Sequence, residues 1–311
     1  MLAWTKRDGR WMGLANWARC GVLAALCAGT ATASGAAELD RIRQAGKIVV
    51  AHRESSIPFS YLDANQRPVG YSMDICARVV NAIRAQLKMP DLPVEYLMVT
   101  ASSRVPAIAS HKASLECGST TNTAERRKQV DYTIPHFISL SRFLVKKASG
   151  IQRIEDLAGK RVVSTKGTTS LTVFRRLDKE LGLRATVQEA DDHAAAFAAV
   201  AKGEADAFVM DDVLLYGLRA VAAKPDDFVV VGKPLTIEPY AIMLPKDEPE
   251  FKALVGDEIR RLIRTGEIYQ LYTKWFERPV PPKGVVMQMP MSFLLRDSFK
   301  FPSDKVGDLG E

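Results

Sequence analysis

Two hydroxyl-rich turns constrain this chain more than any other feature. One reads Glu116-Cys117-Gly118-Ser119-Thr120-Thr121-Asn122, the other Ser164-Thr165-Lys166-Gly167-Thr168-Thr169-Ser170. Each follows an apolar or β-branched run and precedes a segment patterned as a helix. Such a turn points free backbone N–H groups and hydroxyls at one spot, a setting that suits a carboxylate. Two of them, one in each half of the chain, imply a single small acidic ligand held between two lobes.

The rest of the chain alternates in the same way. Lys47-Ile48-Val49-Val50-Ala51 follows Gly46 and reads as a buried strand. Cys76, Val79, Val80, Ile83 and Leu87 recur at helical spacing. Val94 to Met98 reads as a strand, and Val162-Val163 as a short one feeding the second turn. Leu171, Phe174, Leu177 and Leu181 form a helical stripe, and Ala194 to Lys202 a helix that Gly203 stops. Ala207-Phe208-Val209-Met210 is another buried strand, and Phe251, Val255, Ile259, Leu262 and Ile263 mark a late amphipathic helix. This alternation predicts an α/β fold with largely parallel sheets, whose ligands lie beyond the carboxyl ends of strands. Arg53, Ser119, the Gly167–Ser170 turn and Asp211 all stand just after predicted strands and can reach one cleft.

Extended runs around Thr133 to Ile138 and Glu238 to Met243 are expected to be crossovers between lobes. Lobe 1 is then discontinuous, residues 38–140 and 238–311, with lobe 2 over 141–237. The tail after Pro279-Val280-Pro281-Pro282 is expected to be extended and packed on the surface.

The first residues read as an export signal. Lys6, Arg7, Arg10 and Arg19 precede a short run of small and apolar residues from Gly21, and Ala31-Thr32-Ala33 is an A-x-A cleavage site. Residues 1–33 are therefore expected to be removed. Leu26 is bulky where a lipoprotein signal around Cys27 takes a small residue. The formal charge of +7 falls to +4 once this segment, with four basic residues and Asp8, is gone. No dense Lys/Arg stripe remains. Arg126-Arg127-Lys128 reads as a solvated helix face, so nucleic acid is not an expected partner. Cys76 and Cys117 survive cleavage. In an oxidising compartment they can form a disulfide or stay as two buried thiols, and the disulfide is the favoured expectation.

Several segments resemble one family. Ala51-His52-Arg53-Glu54-Ser55-Ser56-Ile57-Pro58-Phe59-Ser60-Tyr61, Gly70-Tyr71-Ser72-Met73-Asp74, Glu116 to Asn122 followed by Glu125-Arg126, Gly167-Thr168-Thr169-Ser170, and Met210-Asp211-Asp212 occur in that order. The chain resembles the periplasmic solute-binding proteins of polar amino acid ABC uptake, most of all their glutamate/aspartate branch, over nearly all of residues 38–295. The resemblance implies a two-lobed type II periplasmic-binding-protein fold that closes like a clamshell. It implies a periplasmic, monomeric protein that delivers L-glutamate or L-aspartate to permease subunits of an inner-membrane ABC transporter, with no cofactor. By matching motif, Arg104 and the backbone N–H of Thr169 hold the α-carboxylate, and Asp211 with Ser119 and Thr121 holds the α-ammonium. His193 matches the branch in position and is assigned to the distal carboxylate.

Residue chemistry leads to the same ligand. An amino acid in a closed cleft loses water from two charged groups, and each then needs a hydrogen-bonded, oppositely charged partner. Arg53 sets the ligand class, because a neutral side chain needs no extra cation. Arg53, Arg104 and Asp211 sum to +1, complementary to a dicarboxylic amino acid. Arg53 paired with Glu54 at the surface, or Arg104 exposed before the helix starting at Val105, would remove that argument. Ala101 stands where the branch often places a ligand-contacting Ser, which bears on aspartate against glutamate. Phe59 and Tyr61 are expected either against the ligand's methylenes or in the core, and Trp275 and Phe276 as core anchors.

Two other readings stay open. A soluble sensory module fits the same site. So does an exported dehydratase-like enzyme on the same fold, though no Gly-x-Ser-x-Gly elbow surrounds Ser119. His52, His111, His136 and His193 are dispersed, which gives no metal-ligand spacing.

Overall fold

The structure, a computed structural model, describes residues 37–305. The expected export signal lies outside the described residues. After helix α1 (Glu38–Ala45), strand β1 (Ile48–His52) enters a first sheet. A small antiparallel meander of β2 (Ser55–Ser56), β3 (Ser60–Leu62) and β4 (Pro68–Val69) leads to α2 (Tyr71–Leu87). β5 (Val94–Met98), α3 (Arg104–Ala109), β6 (Leu115–Glu116), α4 (Ala124–Arg127) and β7 (Val130–Tyr132) follow. The chain then crosses along β8 (Phe137–Lys146) into a second sheet. There it runs through β9 (Arg161–Thr165), α5 (Thr169–Leu181), β10 (Thr186–Ala190), α6 (His193–Lys202), β11 (Ala207–Asp211), α7 (Asp212–Ala220) and β12 (Phe228–Val231). It returns along β13 (Ile237–Tyr240) to β14 (Met243–Pro245), α8 (Pro249–Arg264), α9 (Glu267–Tyr272) and α10 (Phe293–Lys300).

The first sheet has the order β5-β1-β6-β14-β7. The second has β10-β9-β11-β8-β12, with β13 also on β8. Pairing is parallel inside each β/α unit: β1 with β5 and β6, and β9 with β10 and β11. It is antiparallel wherever a crossing strand enters: β14 on β6 and β7, and β8 on β11, β12 and β13. The sheets are therefore mixed rather than largely parallel. A strand arriving from the other sheet runs the opposite way, and local patterning does not encode that direction. The two crossings lie side by side, with Phe137 opposite Tyr240 and Leu140 opposite Ile237.

Local chemistry explains the elements around both turns. Thr168 caps α5 by accepting from the Leu171 N–H at 3.3 Å, and Leu171 and Phe174 bury its inner face. Asp192 caps α6 through the Ala195 N–H at 2.8 Å, and Gly203 ends that helix at φ 79°. An aromatic cluster clamps the crossing strands. The Phe59 ring lies 4.8 Å from Phe137, 5.1 Å from Tyr240 and 5.6 Å from Phe276, centroid to centroid. Phe59 thus belongs to the core, and Trp275 and Phe276 are buried anchors as expected. Tyr61 lies edge-on to Trp275 and donates to the Pro281 carbonyl.

The tail is not simply extended. Ser292 accepts from the Leu295 N–H at 3.2 Å and starts α10, whose Leu295 and Phe299 are buried. A capping Ser followed by apolar residues four apart is the signal that was present there.

Cys76 on α2 and Cys117 after β6 form a disulfide, with Cα atoms 6.2 Å apart and a sequence separation of 41. Closing a loop of that length stabilises by about 4 kcal/mol on the chain-entropy view. Cys76→Ala/Cys117→Ala is expected to lower the unfolding free energy in urea by about 2–4 kcal/mol. A loss under about 0.5 kcal/mol would show that the native packing alone fixes this turn.

Candidate functional site

Arg53 is the first residue after β1 and is only 2% exposed. Its backbone N–H donates to Ser60 Oγ at 2.9 Å. Its stem passes over Gly118, where an added Cβ would lie 3.0 Å from Arg53 Cγ and 2.2 Å from Glu116 Oε1. A larger residue there would have to push the end of the Glu116 side chain aside. Arg53 Nη2 lies 3.4 Å from His193 Nε2, while Nη1 has no hydrogen-bond partner among the described residues. Burial lowers the Arg53 pKa, and the neighbouring Glu116 carboxylate opposes that fall. Arg53 is therefore not a surface residue paired with Glu54.

Arg104 opens α3 and is 3% exposed, so it is no surface residue either. Its Nε lacks a partner. Its pKa is pushed down to about 9, by burial first and then by Arg126 and Arg53. Two buried guanidiniums with unused donors form an end of the site that favours an anion. His193, at the start of α6, meets Thr165 Oγ1 through Nδ1 at 2.8 Å. Burial, then Arg53 and Arg104, holds its pKa well below 6.5, so the imidazole is neutral at neutral pH. A neutral ring keeps one donor and one acceptor.

The opposite end is acidic. Asp211 ends β11, accepts from Ser170 Oγ at 2.9 Å and takes a short hydrogen bond from the Tyr240 hydroxyl. Its pKa is raised to about 8, by burial first and by Glu238 next. Glu238, on β13, accepts from Thr121 Oγ1 at 2.6 Å and Thr169 Oγ1 at 2.7 Å through one oxygen, and from Thr236 Oγ1 at 2.5 Å through the other. Ser119 Oγ is buried without a partner.

Contacts gather the expected residues into a constellation with two ends: Arg53 meets His193, with Arg104 close enough to act on both electrostatically, and Thr121 and Thr169 meet on one Glu238 oxygen near Asp211. Ser119 makes no hydrogen bond that assigns it to either end. Sequence reasoning missed Glu116, Glu238 and Tyr240. Glu116 is fully buried, and its Oε2 accepts from Thr120 Oγ1 at 2.7 Å. With both extra carboxylates ionised, the formal sum of +1 becomes −1. The case for an acidic ligand therefore rests on where the guanidiniums point, not on net charge.

The two turns also meet across the site. Arg126 donates to the Thr121 carbonyl at 2.8 Å and the Gly167 carbonyl at 3.1 Å. This corrects the reading of Arg126-Arg127-Lys128 as merely a solvated face. A Cβ on Gly167 would lie 2.7 Å from Ser102 Cα and 2.8 Å from the Ala101 oxygen. A cavity of about 390 Å³ adjoins the constellation, lined among others by Thr121, Arg126, Thr169, Arg176 and Glu238. It borders the acidic end and does not include the buried arginines. Away from the site, Glu38, His111 and Glu248 bring ligand-type atoms within 4.8 Å of one another. The Arg41 guanidinium donates to both carboxylates and already offsets part of their charge.

Comparison with known proteins agrees with this architecture. Residues 48–278 match the model for bacterial extracellular solute-binding proteins, family 3. The chain is 42% identical over 286 residues to the glutamate/aspartate import solute-binding protein of Escherichia coli (strain K12), covering 90% of this chain and 95% of that one. It is 42% identical over 273 residues to the L-glutamate/L-aspartate-binding protein of Pseudomonas aeruginosa, covering 87% and 90%. An ancestral arginine-binding protein bound to arginine matches with a TM-score of 0.67 at 27% identity, over 74% of this chain and 98% of that chain. The solute receptor for L-cysteine of Neisseria gonorrhoeae matches with a TM-score of 0.68 at 26% identity, over 77% and 93%. The Escherichia coli relative is named for import and the Pseudomonas aeruginosa relative for binding of these amino acids. Two sheets joined by paired crossing strands are the type II periplasmic-binding-protein arrangement, with its cleft between lobes. The chain belongs to family 3 of the bacterial extracellular solute-binding proteins.

Proposed function

We propose that this protein is the exported binding component of an ABC amino acid importer, and that it carries L-glutamate or L-aspartate to the permease. It works as a periplasmic monomer, released by cleavage near Ala33. The lobes are residues 38–140 with 238–311, and 141–237. The observation that carries the reading is the buried Arg53 guanidinium, with an unpartnered Nη1 beside a neutral His193. A distal carboxylate supplies the partner this group lacks. Arg104 and the Thr169 N–H take the α-carboxylate, and Asp211, Ser119 and Thr121 take the α-ammonium. Closure is favoured by contacts made only when the two lobes meet on the ligand.

The test is calorimetry on mature protein, unfolded and refolded to strip ligand, against glutamate, aspartate, glutamine and asparagine. The acids are expected to bind at least about tenfold more tightly than their amides. Equal binding would leave a polar amino acid binder without acid selectivity. Silence towards all four would favour a sensor or an enzyme on this fold. Uptake by cells with and without the protein separates transport from sensing.

Asp211 gives a pH dependence. Its folded pKa of about 8 lies above the usual carboxylate value, so the ligand-free form holds a proton that an ammonium must displace. Raising pH through the folded pKa removes that proton and its contribution to ligand-free stability. Binding is therefore expected to release a proton at neutral pH and to tighten between about pH 6 and about pH 8. Calorimetry in buffers of different ionisation heat measures the proton. A flat affinity with no proton release would overturn this account of Asp211.

A further inference from the structure

We propose that Glu238 is a positioning residue that fixes the hydroxyl hydrogens of Thr121 and Thr169, making their oxygens acceptors at the ammonium end of the cleft. This inference rests on the ammonium role given above to Asp211, Ser119 and Thr121. A threonine hydroxyl carries one hydrogen and two lone pairs. Thr121 and Thr169 both direct that hydrogen to the same Glu238 oxygen, at 2.6 and 2.7 Å. What remains on each oxygen is acceptor capacity. Thr121 Oγ1 can then accept from a ligand N–H and has no hydrogen to give to a ligand carbonyl.

The location of Glu238 makes this arrangement rigid. Glu238 lies on a crossing strand, opposite Ser139 of β8. Its neighbour Pro239 accepts from the Asn122 N–H at 2.8 Å, so the first turn is laced to the same strand. Thr236 holds the other carboxylate oxygen. Among the described residues no lysine, arginine or histidine lies within ion-pair distance of Glu238, and its carboxylate accepts from three threonine hydroxyls. Charge-assisted hydrogen bonds of this kind are stronger than neutral ones and hold the donor's direction. One carboxylate thereby sets the polarity of both turns. The ligand class this selects bears a hydrogen-donating group at the α-position: α-amino acids over α-keto acids of the same carbon frame.

The experiment compares L-glutamate with 2-oxoglutarate, which puts an acceptor carbonyl where glutamate has its ammonium. Dissociation constants are measured by calorimetric competition for wild type, Glu238→Gln, Glu238→Asp and Thr121→Val, and for Thr121→Val combined with Glu238→Gln. Glu238→Gln removes the charge, so its single oxygen holds the Thr121 and Thr169 hydrogens by weaker neutral bonds, and with the amide reversed it holds neither. The preference for glutamate is expected to fall by about tenfold or more, mainly through weaker glutamate binding. Glu238→Asp keeps the charge but draws back from both hydroxyls, and is expected to lose preference too. In the Thr121→Val background the Glu238→Gln effect should shrink, because Glu238 acts through that hydroxyl. A lowered melting temperature with unchanged preference in both Glu238 variants would overturn the proposal and leave a purely structural carboxylate. An undiminished effect in the Thr121→Val background would overturn it as well. If wild type binds neither glutamate nor aspartate, the proposed function fails first, a result distinct from either of these.

Discussion

Arg53→Met is expected to weaken glutamate binding by about two to three orders of magnitude and glutamine binding by about tenfold or less. The asymmetry follows from what each ligand leaves behind. With glutamate, the variant strands an ionised carboxylate in a site closed to water, a loss of about 3–5 kcal/mol. With glutamine it removes a donor from a neutral amide oxygen, about 1 kcal/mol. Methionine fills most of the volume of the arginine stem, so the passage over Gly118 stays packed. Glu116 would lose its cationic neighbour, and some stability loss is expected. Thermal unfolding of the ligand-free variant measures that part separately. Equal losses for glutamate and glutamine would remove Arg53 from specificity and leave it a structural partner of Glu116.

Gly167→Ala is expected to weaken binding of either acid by about ten- to a hundredfold and to lower ligand-free stability by about 1–2 kcal/mol. Two effects separate here. The positive φ of 73° strains alanine in every state of the protein, at roughly 1–2 kcal/mol. The clash with Ser102 Cα and the Ala101 carbonyl arises only when the second turn lies against the Ala101–Ser102 segment. All the atoms it meets are backbone and cannot rotate aside, so about 1–3 kcal/mol of overpacking falls on the closed form alone. Gly182→Ala is the control. It has φ 61° at the end of α5, but its Cβ meets nothing within 4 Å. Affinity is expected to be unchanged there. Equal affinity loss in both variants would mean that backbone strain, not closure, is being read.

How much was legible follows from how local each signal is. Arg53, Asp211 and the two turns were found because a strand ending in a charged or hydroxyl residue is a short-range pattern. The α6 bounds were found within a residue, its end because Gly203 punctuates it, and the Leu171–Leu181 stripe fell inside α5, while the Thr168 and Asp192 caps went unread. Glu238 was passed over because it sits in an extended run and becomes a site residue only when β13 is laid beside β8. Glu116 looks like any carboxylate beside a turn, and its burial under Arg53 is a tertiary fact. Strand direction at the crossings was missed for the same reason. The α10 helix was missed despite a readable cap, because the preceding prolines outweighed it.

Gly167 and Gly217 give the cleft a hard stop. At Gly217 a Cβ would lie 2.4 Å from the Ile57 carbonyl oxygen, just as Gly167 leaves no room against Ala101 and Ser102. The jaws therefore meet main chain on main chain, like a caliper with its closed width cut into the metal. Side-chain drift elsewhere on either jaw does not move that stop. An extra methylene in the ligand cannot be absorbed by resting slightly ajar without giving up the contacts that reward closing. Under the proposed function, discrimination between the two acids is then expected from the interior of the cleft, and Ala101→Ser measured against both acids tests it.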